Sequence, residues 1–467
     1  MKQDKKIAII GGGIAGSTIA SYFDKIGIKA TLFEKKETLV SGPPICHLHA
    51  GGNLYREIDD KACITLLKES INLVKLYPNC IDYRPTILAT PLLDPTDPSD
   101  LINRLKLLQN VYAKMVDNDN TNCVLNNPNN YFKTYSKIDL LKLKTQEPKS
   151  TPKSFDDWII PFAKYSDLDK LKYPVIAVQE YGLNIFRLSA TVTKTISCST
   201  NIDLKNNTEI ENITKLDEKF IVEYNNKKEQ FDYIINSAGF LTGSIDDMVG
   251  IKRESLVEFK AAYITKWKDD IKWPEIIFFG QRGTPNGMGQ FTPYLNGYFQ
   301  LHGMTEDITL FKNGLVKNPI NSSQPQLNRD FIDKIDKGWD INEVENRTKK
   351  AIKHITQYIP SFSDAKPYQK PLYGAQQIPG LNKDLRTADV RFDIKGYARC
   401  EIVKASSVIG MSKQIIQNLI DEKFIDPNCI MDIDSISFNI DPIKMAKSIA
   451  NKLNYPEDMC KLVVYNN

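Results

Sequence analysis

Near the N-terminus, Gly11-Gly12-Gly13-Ile14-Ala15-Gly16 has the residue types and spacing to hold a phosphate. In a Gly-x-Gly-x-x-Gly pattern the first glycine permits a tight turn, the second lets backbone approach a pyrophosphate, and the third lets a helix pack closely on a strand. A helix starting at Ile14 would aim its N–H groups at that phosphate. Glu34 follows about 20 residues later, where a carboxylate accepts both hydroxyls of a ribose, and Lys35 stands beside it. The spacing predicts that Gly11, Gly13, Ile14, Ala15, Gly16, Glu34 and Lys35 seat an adenine dinucleotide.

The elements needed to position these residues are legible around them. Ile7 to Ile10 is an apolar run suited to a buried parallel strand, and Ile14 to Phe23 has the spacing of a helix packed on one face. Gly27 ends that helix, and Lys29 to Phe33 reads as a second strand. A bare glycine pattern is weak; strand, helix, second strand and terminal acid in register make it specific. The opening lysines and Ile7 to Ala20 also mimic a secretion signal, but three consecutive glycines and the continuing pattern at Phe23, Ile26, Ile28 and Leu32 argue against one.

Three later stretches could meet the same ligand. Asn206 to Ile213, Phe220 to Tyr224 and Glu229 to Ile235 read as β-runs, the last leading into Asn236-Ser-Ala238-Gly239. Glu401 to Ser407 runs into a helical pattern at Ile409, Ile415, Ile416 and Leu419, with small residues Ala405, Ser406 and Ser407 at its start. Between Ser41 and Asn53, a Gly-Pro-Pro breaker precedes His47, His49, Ala50, Gly51 and Gly52, two of the chain's four histidines followed by small residues. Taken alone these are a glycine turn, a serine-capped helix and a loop.

Read with the N-terminal pattern, they resemble the FAD-dependent oxidoreductases of the D-amino-acid oxidase superfamily. The strand ending at Ala238-Gly239 resembles that family's second fingerprint, whose backbone passes the FAD pyrophosphate. The resemblance implies an α/β architecture: a Rossmann-like FAD-binding domain plus an α+β substrate domain with a mainly antiparallel sheet. It also implies FAD as cofactor, with Ile210, Ala238 and Gly239 against it and a late helix at Ala405 to Ser407 facing the flavin, where dipole and N–H groups favour the anionic reduced ring. The His-Ala-Gly-Gly segment is similar to the His-Ala-Ala-Gly of dimethylglycine dehydrogenase relatives, in which that histidine is joined to FAD; His49 is thus read as either a covalent or a noncovalent contact. The segment from Gln281 to Gly314 is similar to malate:quinone oxidoreductases.

Oxidising a 2-hydroxy or 2-amino acid needs a carboxylate anchor, a base, and an open path to the flavin. Arg282, Arg386 and Arg391 are the candidate anchors, because bidentate arginine matches a carboxylate. His302 is the candidate base, with Tyr294 and Gln376 as orienting groups, and His354 is read as structural. The amino-acid oxidases carry an arginine in a Gly-x-Arg-Pro stretch, whereas Tyr373-Gly374-Ala375-Gln376 has glutamine, which weighs against an ordinary amino-acid oxidase. The first expectation is a dehydrogenase of a malate-like 2-hydroxy acid that passes electrons to quinone. An amine or amino-acid dehydrogenase is the alternative, and a non-catalytic flavoprotein a third. Flavin hydroxylases and disulfide reductases lack support, since their late Gly-Asp-Ala-x-His and Cys-x4-Cys signatures are missing.

The totals agree. A chain of 467 residues exceeds the size at which one core stops growing. Six segments are expected: FAD-binding parts at 1–85, 181–245 and 366–425, substrate-domain parts at 86–180 and 246–365, and a helical tail at 426–467. With 61 Lys+Arg against 57 Asp+Glu, spread without a basic stripe, nucleic acid is not expected as a partner. Eight scattered cysteines without Cys-x-x-Cys suggest neither zinc nor a dithiol pair, but for the most part buried thiols in a reducing compartment. No apolar run reaches the roughly 18 residues of a membrane span, so a cytoplasmic protein is expected. Its amphipathic segment Pro442 to Leu453 either packs on the domain or rests on the inner membrane face.

Overall fold

The computed structural model describes residues 5–42, 47–53, 58–268, 271–385, 388, 390–427 and 433–462. Strand Ile7–Ile10 lies at the centre of a six-stranded sheet, flanked on one side by Ala30–Phe33 and Ile202–Lys205 and on the other by Tyr233–Asn236, Tyr397–Cys400 and Val390–Arg391. All neighbours pair parallel except the two-residue edge strand, which is antiparallel. Alternation along the first strand decides its two faces. Ile7 and Ile9 enter a core with helices Ile14–Lys25, Ile185–Ser197 and Val408–Asp421, while Ala8 and Ile10 enter a second core with Phe33, Phe220, Val222 and Phe231.

That second core is covered by a three-stranded antiparallel sheet, Asn212–Leu216, Lys219–Tyr224 and Lys227–Phe231. Two expected runs are corrected here. Glu229 to Ile235 is not one strand: it breaks at Asp232, whose N–H donates to the Lys6 carbonyl, and Tyr233–Asn236 crosses to the larger sheet. Asn206 to Ile213 is mostly a wrap around the end of Ala30–Phe33, because the Thr208 N–H donates to the Glu34 carbonyl and regular pairing begins only at Asn212.

The remaining strands form a ten-stranded, mostly antiparallel sheet, in which Ser255–Lys266 pairs with Leu372–Pro379 over eight residues and with Tyr298–Gly303. Its one parallel pairing joins Thr86–Pro91 to Glu275–Phe278. An aromatic core of Trp267, Trp273, Phe291, Phe299 and Phe362 covers one face. Helix Ile341–Thr356 contributes Ala351 and Ile355 to the same core.

Helix Ile443–Lys452 packs on Ile185–Ser197, burying Ala446, Ile449 and Ala450. Its apolar face is thus turned into the protein, the first of the two readings the sequence offered. Among the described residues, no helix is long and apolar enough to cross a membrane. Among the described cysteines most are buried thiols, as expected: Cys63, Cys80, Cys400 and Cys460 are buried, and Cys123 and Cys198 are exposed.

Candidate functional site

The glycine cluster folds tightly because each glycine meets a different neighbour. Gly11 has φ of +100°, and a Cβ there would lie 2.5 Å from the Ser237 carbonyl oxygen. A Cβ on Gly13 would meet nothing within 4 Å. Gly13 also caps helix Ile14–Lys25, and no side chain bonds its first N–H groups. The open space therefore faces uncapped donors, the arrangement that attracts an anion.

Glu34 closes the cradle. Its Oε2 accepts from the Gly12 N–H at 2.6 Å and its Oε1 from the Lys36 N–H at 2.8 Å. Burial raises its pKa, with the two amide donors opposing that rise. Each carboxylate oxygen keeps a further lone pair for a sugar hydroxyl.

A cavity of about 570 Å³ begins at this cradle, within the range of small-molecule and cofactor sites. Gly11, Gly13, Glu34, Lys35, Ile210, Ala238 and Gly239 line it. A second chamber of about 270 Å³ shares Gly13, Gly239 and Ala375 with the first and is lined by Ile14, Ala15, His47, His49, Ala405 and Ser406. His302 and Gln376 open onto the same chamber. The residues present fit an FAD molecule: a ribose acceptor at Glu34, open space for a diphosphate over Gly13, and an adjoining chamber for the ring.

Other expected contacts are packed behind these walls. Gly16 lies against the Gly11 carbonyl and Ser237 Oγ. Ala50 is buried, Gly51 adopts φ of +95° against the Cys63 backbone, and the Gly52 N–H donates to Glu180 Oε1 at 2.6 Å. Ser407 is buried, and its hydroxyl donates to Glu69 Oε2 at 2.9 Å, where the sequence suggested a serine cap.

The structure brings neither Arg282 nor Arg391 to the chamber. Arg282 is drawn aside by Glu258 and Asp384, and Arg391 sits exposed at a sheet edge beside Glu401. Tyr294 is buried in the core, its hydroxyl donating to Gln300 Oε1 at 2.8 Å. Arg386 lies outside the described residues. Lys260, which sequence reasoning missed, lines the chamber instead, its Nζ 3.1 Å from Gln376 Oε1 and 2.7 Å from Glu258 Oε2. Its signal was a charge alternating with apolar residues in the strand Glu258-Phe-Lys260.

Beneath the chamber lies a buried ionic chain. His47 Nε2 faces Glu180 Oε2 at 3.0 Å, and its Nδ1 faces Glu275 Oε1 at 3.3 Å. Glu275 also accepts from Arg84 at 3.1 Å; Arg84 lies beside Asp82, which in turn pairs with Arg187. Burial opposes charge on His47, but Glu275 and Glu180 outweigh it and raise its pKa to about 9. His302 goes the other way. Burial, helped by Lys260 and His47, lowers its pKa to about 4 against the opposing pull of Glu275. The two imidazoles thus differ at neutral pH: His47 is charged and His302 neutral. His354, outside the chamber lining, bonds the Gly287 carbonyl at 2.9 Å.

No protein-family model and no curated protein matches the sequence. Solved structures do match its fold. The glycerol-3-phosphate dehydrogenase from Bacillus halodurans, complexed with FAD, superposes with a TM-score of 0.55 at 12% identity, over 98% of this chain and 74% of that one. The L-alpha-glycerophosphate oxidase from Mycoplasma pneumoniae, with FAD bound, gives 0.55 at 13% identity over 90% and 95%. The L-amino acid deaminase from Proteus vulgaris gives 0.56 at 10% identity over 94% and 97%. The chain has the fold of the D-amino-acid-oxidase-like flavoprotein oxidoreductases.

Proposed function

We propose that this protein is an FAD-dependent oxidoreductase that oxidises a small 2-hydroxy acid of malate type and passes the electrons to a quinone. The observation that carries the reading is the adjoining pair of chambers, with a dinucleotide cradle at Gly13 and Glu34 in one and a neutral histidine beside an ammonium group in the other. Two structures of like fold hold FAD.

FAD would supply the hydride acceptor. Gly11, Gly13 and the N–H groups of helix Ile14–Lys25 would hold its diphosphate, and Glu34 its ribose. Lys260 and Gln376 would orient the substrate carboxylate. His302, neutral because it is buried near cations, would take the hydroxyl proton. Gln376, standing where the amino-acid oxidases carry an arginine, favours a hydroxy acid.

The test is a visible spectrum of the purified protein, followed by anaerobic addition of 2-hydroxy and 2-amino acids. Bleaching by a hydroxy acid and recovery on adding a short-chain quinone supports the proposal. Bleaching by amino acids alone supports an amine or amino-acid dehydrogenase, and a yellow protein that nothing bleaches supports a non-catalytic flavoprotein. Acid precipitation adds one result: colour kept in the pellet supports a covalent link, which a His49→Ala variant that releases its colour would place at His49, and colour in the supernatant a noncovalent contact.

A further inference from the structure

Four lysines line the larger cavity, and they divide into two kinds. Lys35 is paired with Asp336 at 3.9 Å and Lys452 with Glu37 at 2.5 Å. Among the described residues, Lys36 Nζ has neither a carboxylate within ion-pair distance nor a hydrogen bond. Lys370 Nζ meets only neutral groups: it donates to the Leu453 carbonyl at 2.5 Å and lies 4.7 Å from the centre of the Tyr455 ring. Both side chains are half-buried. Burial and a neighbouring ammonium lower both pKa values, the neighbour being Lys35 for Lys36 and Lys36 for Lys370, while Asp336 and Glu34 oppose the fall at Lys36. Like charges kept close cost free energy that an anion between them would offset; the two carboxylates that act on Lys36 are engaged elsewhere, Asp336 by Lys35 and Glu34 by the Gly12 and Lys36 N–H groups.

The two cations come from distant parts of the chain. Lys36 follows Glu34 just beyond strand Ala30–Phe33, and Lys370 precedes strand Leu372–Pro379. The C-terminal segment holds Lys370 in place through the Leu453 carbonyl and Tyr455, and its Ile449 and Leu453 wall the same cavity. Among the described residues, Glu209 and Glu37 are the carboxylates on this wall besides Glu34; Glu209 is exposed, and Glu37 is taken by Lys452.

We infer that Lys36 and Lys370 form an anion site for a phosphate-bearing group, completed by the C-terminal segment. The group is either the diphosphate of the cofactor or the phosphate of a second ligand entering the same cavity. Only the choice between these sources rests on the flavin reading.

The probe is inorganic pyrophosphate, titrated calorimetrically into the full-length protein before and after saturation with FAD, beside a titration of FAD itself. The double variant Lys36→Gln/Lys370→Gln is expected to weaken anion binding by about tenfold or more, and Lys452→Gln by less than about twofold, because that charge is already paired. Circular dichroism and thermal melting confirm that the variants fold. If pyrophosphate competes with FAD and the double variant weakens both, the site holds the cofactor's diphosphate. If FAD-loaded protein still binds pyrophosphate and the double variant loses only that, the site serves a second ligand. A folded double variant that binds both as wild type overturns the inference. A wild-type protein that refuses FAD yet binds pyrophosphate through these lysines sinks the flavin proposal and leaves the anion site standing.

Discussion

A Cβ placed on Gly16 would lie 1.9 Å from the carbonyl oxygen of Gly11. The helix therefore meets the first strand's exit turn at backbone contact, and the turn can face the cavity only while residue 16 has no side chain. Gly16→Ala is expected to lower stability by about 1–3 kcal/mol, the usual cost of overpacking. Gly13→Ala, whose Cβ enters open space, should leave the melting temperature within a few degrees while lowering FAD affinity by about tenfold or more. Parallel melts and FAD titrations check this pair. Equal stability loss in both variants would contradict the different roles assigned to the two glycines.

Glu34 should act as the ribose acceptor. Removing its charge-assisted hydrogen bonds by Glu34→Ala is expected to weaken FAD binding by about 10–100-fold. Glu34→Gln should fall between, since it retains one acceptor oxygen. Fluorescence titration of the refolded apoprotein reads the affinity, and unchanged binding in the alanine variant would move the ribose elsewhere.

If His302 is the base, His302→Gln should stay yellow with full FAD content but bleach about 10²- to 10⁴-fold more slowly with substrate. Its depressed pKa further predicts that the bleaching rate in stopped flow holds steady down to about pH 4, where the imidazole becomes charged. A rate that falls already near pH 6.5 would assign the proton to another group.

The two histidines also set opposite limbs of a stability profile. His47 has a folded pKa of about 9, above the ordinary 6.5, so its contribution is complete below about pH 6.5 and lost as pH rises toward 9. His302 has a folded pKa of about 4, below 6.5, so only the unfolded chain takes its proton, and stability falls as pH drops from 6.5 toward 4. Each limb has a limit on the order of 3 kcal/mol. Urea unfolding across pH should peak between the limbs; His302→Gln should flatten the acid limb and His47→Gln the alkaline one.

Local patterns carried the cradle. Strand, turn, helix and terminal acid lie within the first 34 residues, and short-range sterics and helix dipoles shape them, so spacing alone could locate Gly11, Gly13, Gly16 and Glu34. Capping pairs at Ser136 with Asp139 and Ser154 with Asp157 also start helices Lys137–Leu143 and Phe155–Tyr165, a signal present in the sequence but passed over. The break at Asp232 was not legible, because which sheet a strand joins depends on its distant partners.

The sequence by itself determined that a dinucleotide-type crossover opens the chain, since the residues that form it are neighbours in the chain. Only the tertiary structure decided which charged groups reach the ligand chambers. Arg282 had the right chemistry, yet Glu258, 24 residues away in the chain, captures it. Lys260, by contrast, is brought to the second chamber by strand pairing, and His47 is charged by Glu180 and Glu275, 133 and 228 residues further along. Charge falls off with distance in space, and distance in space is what folding sets.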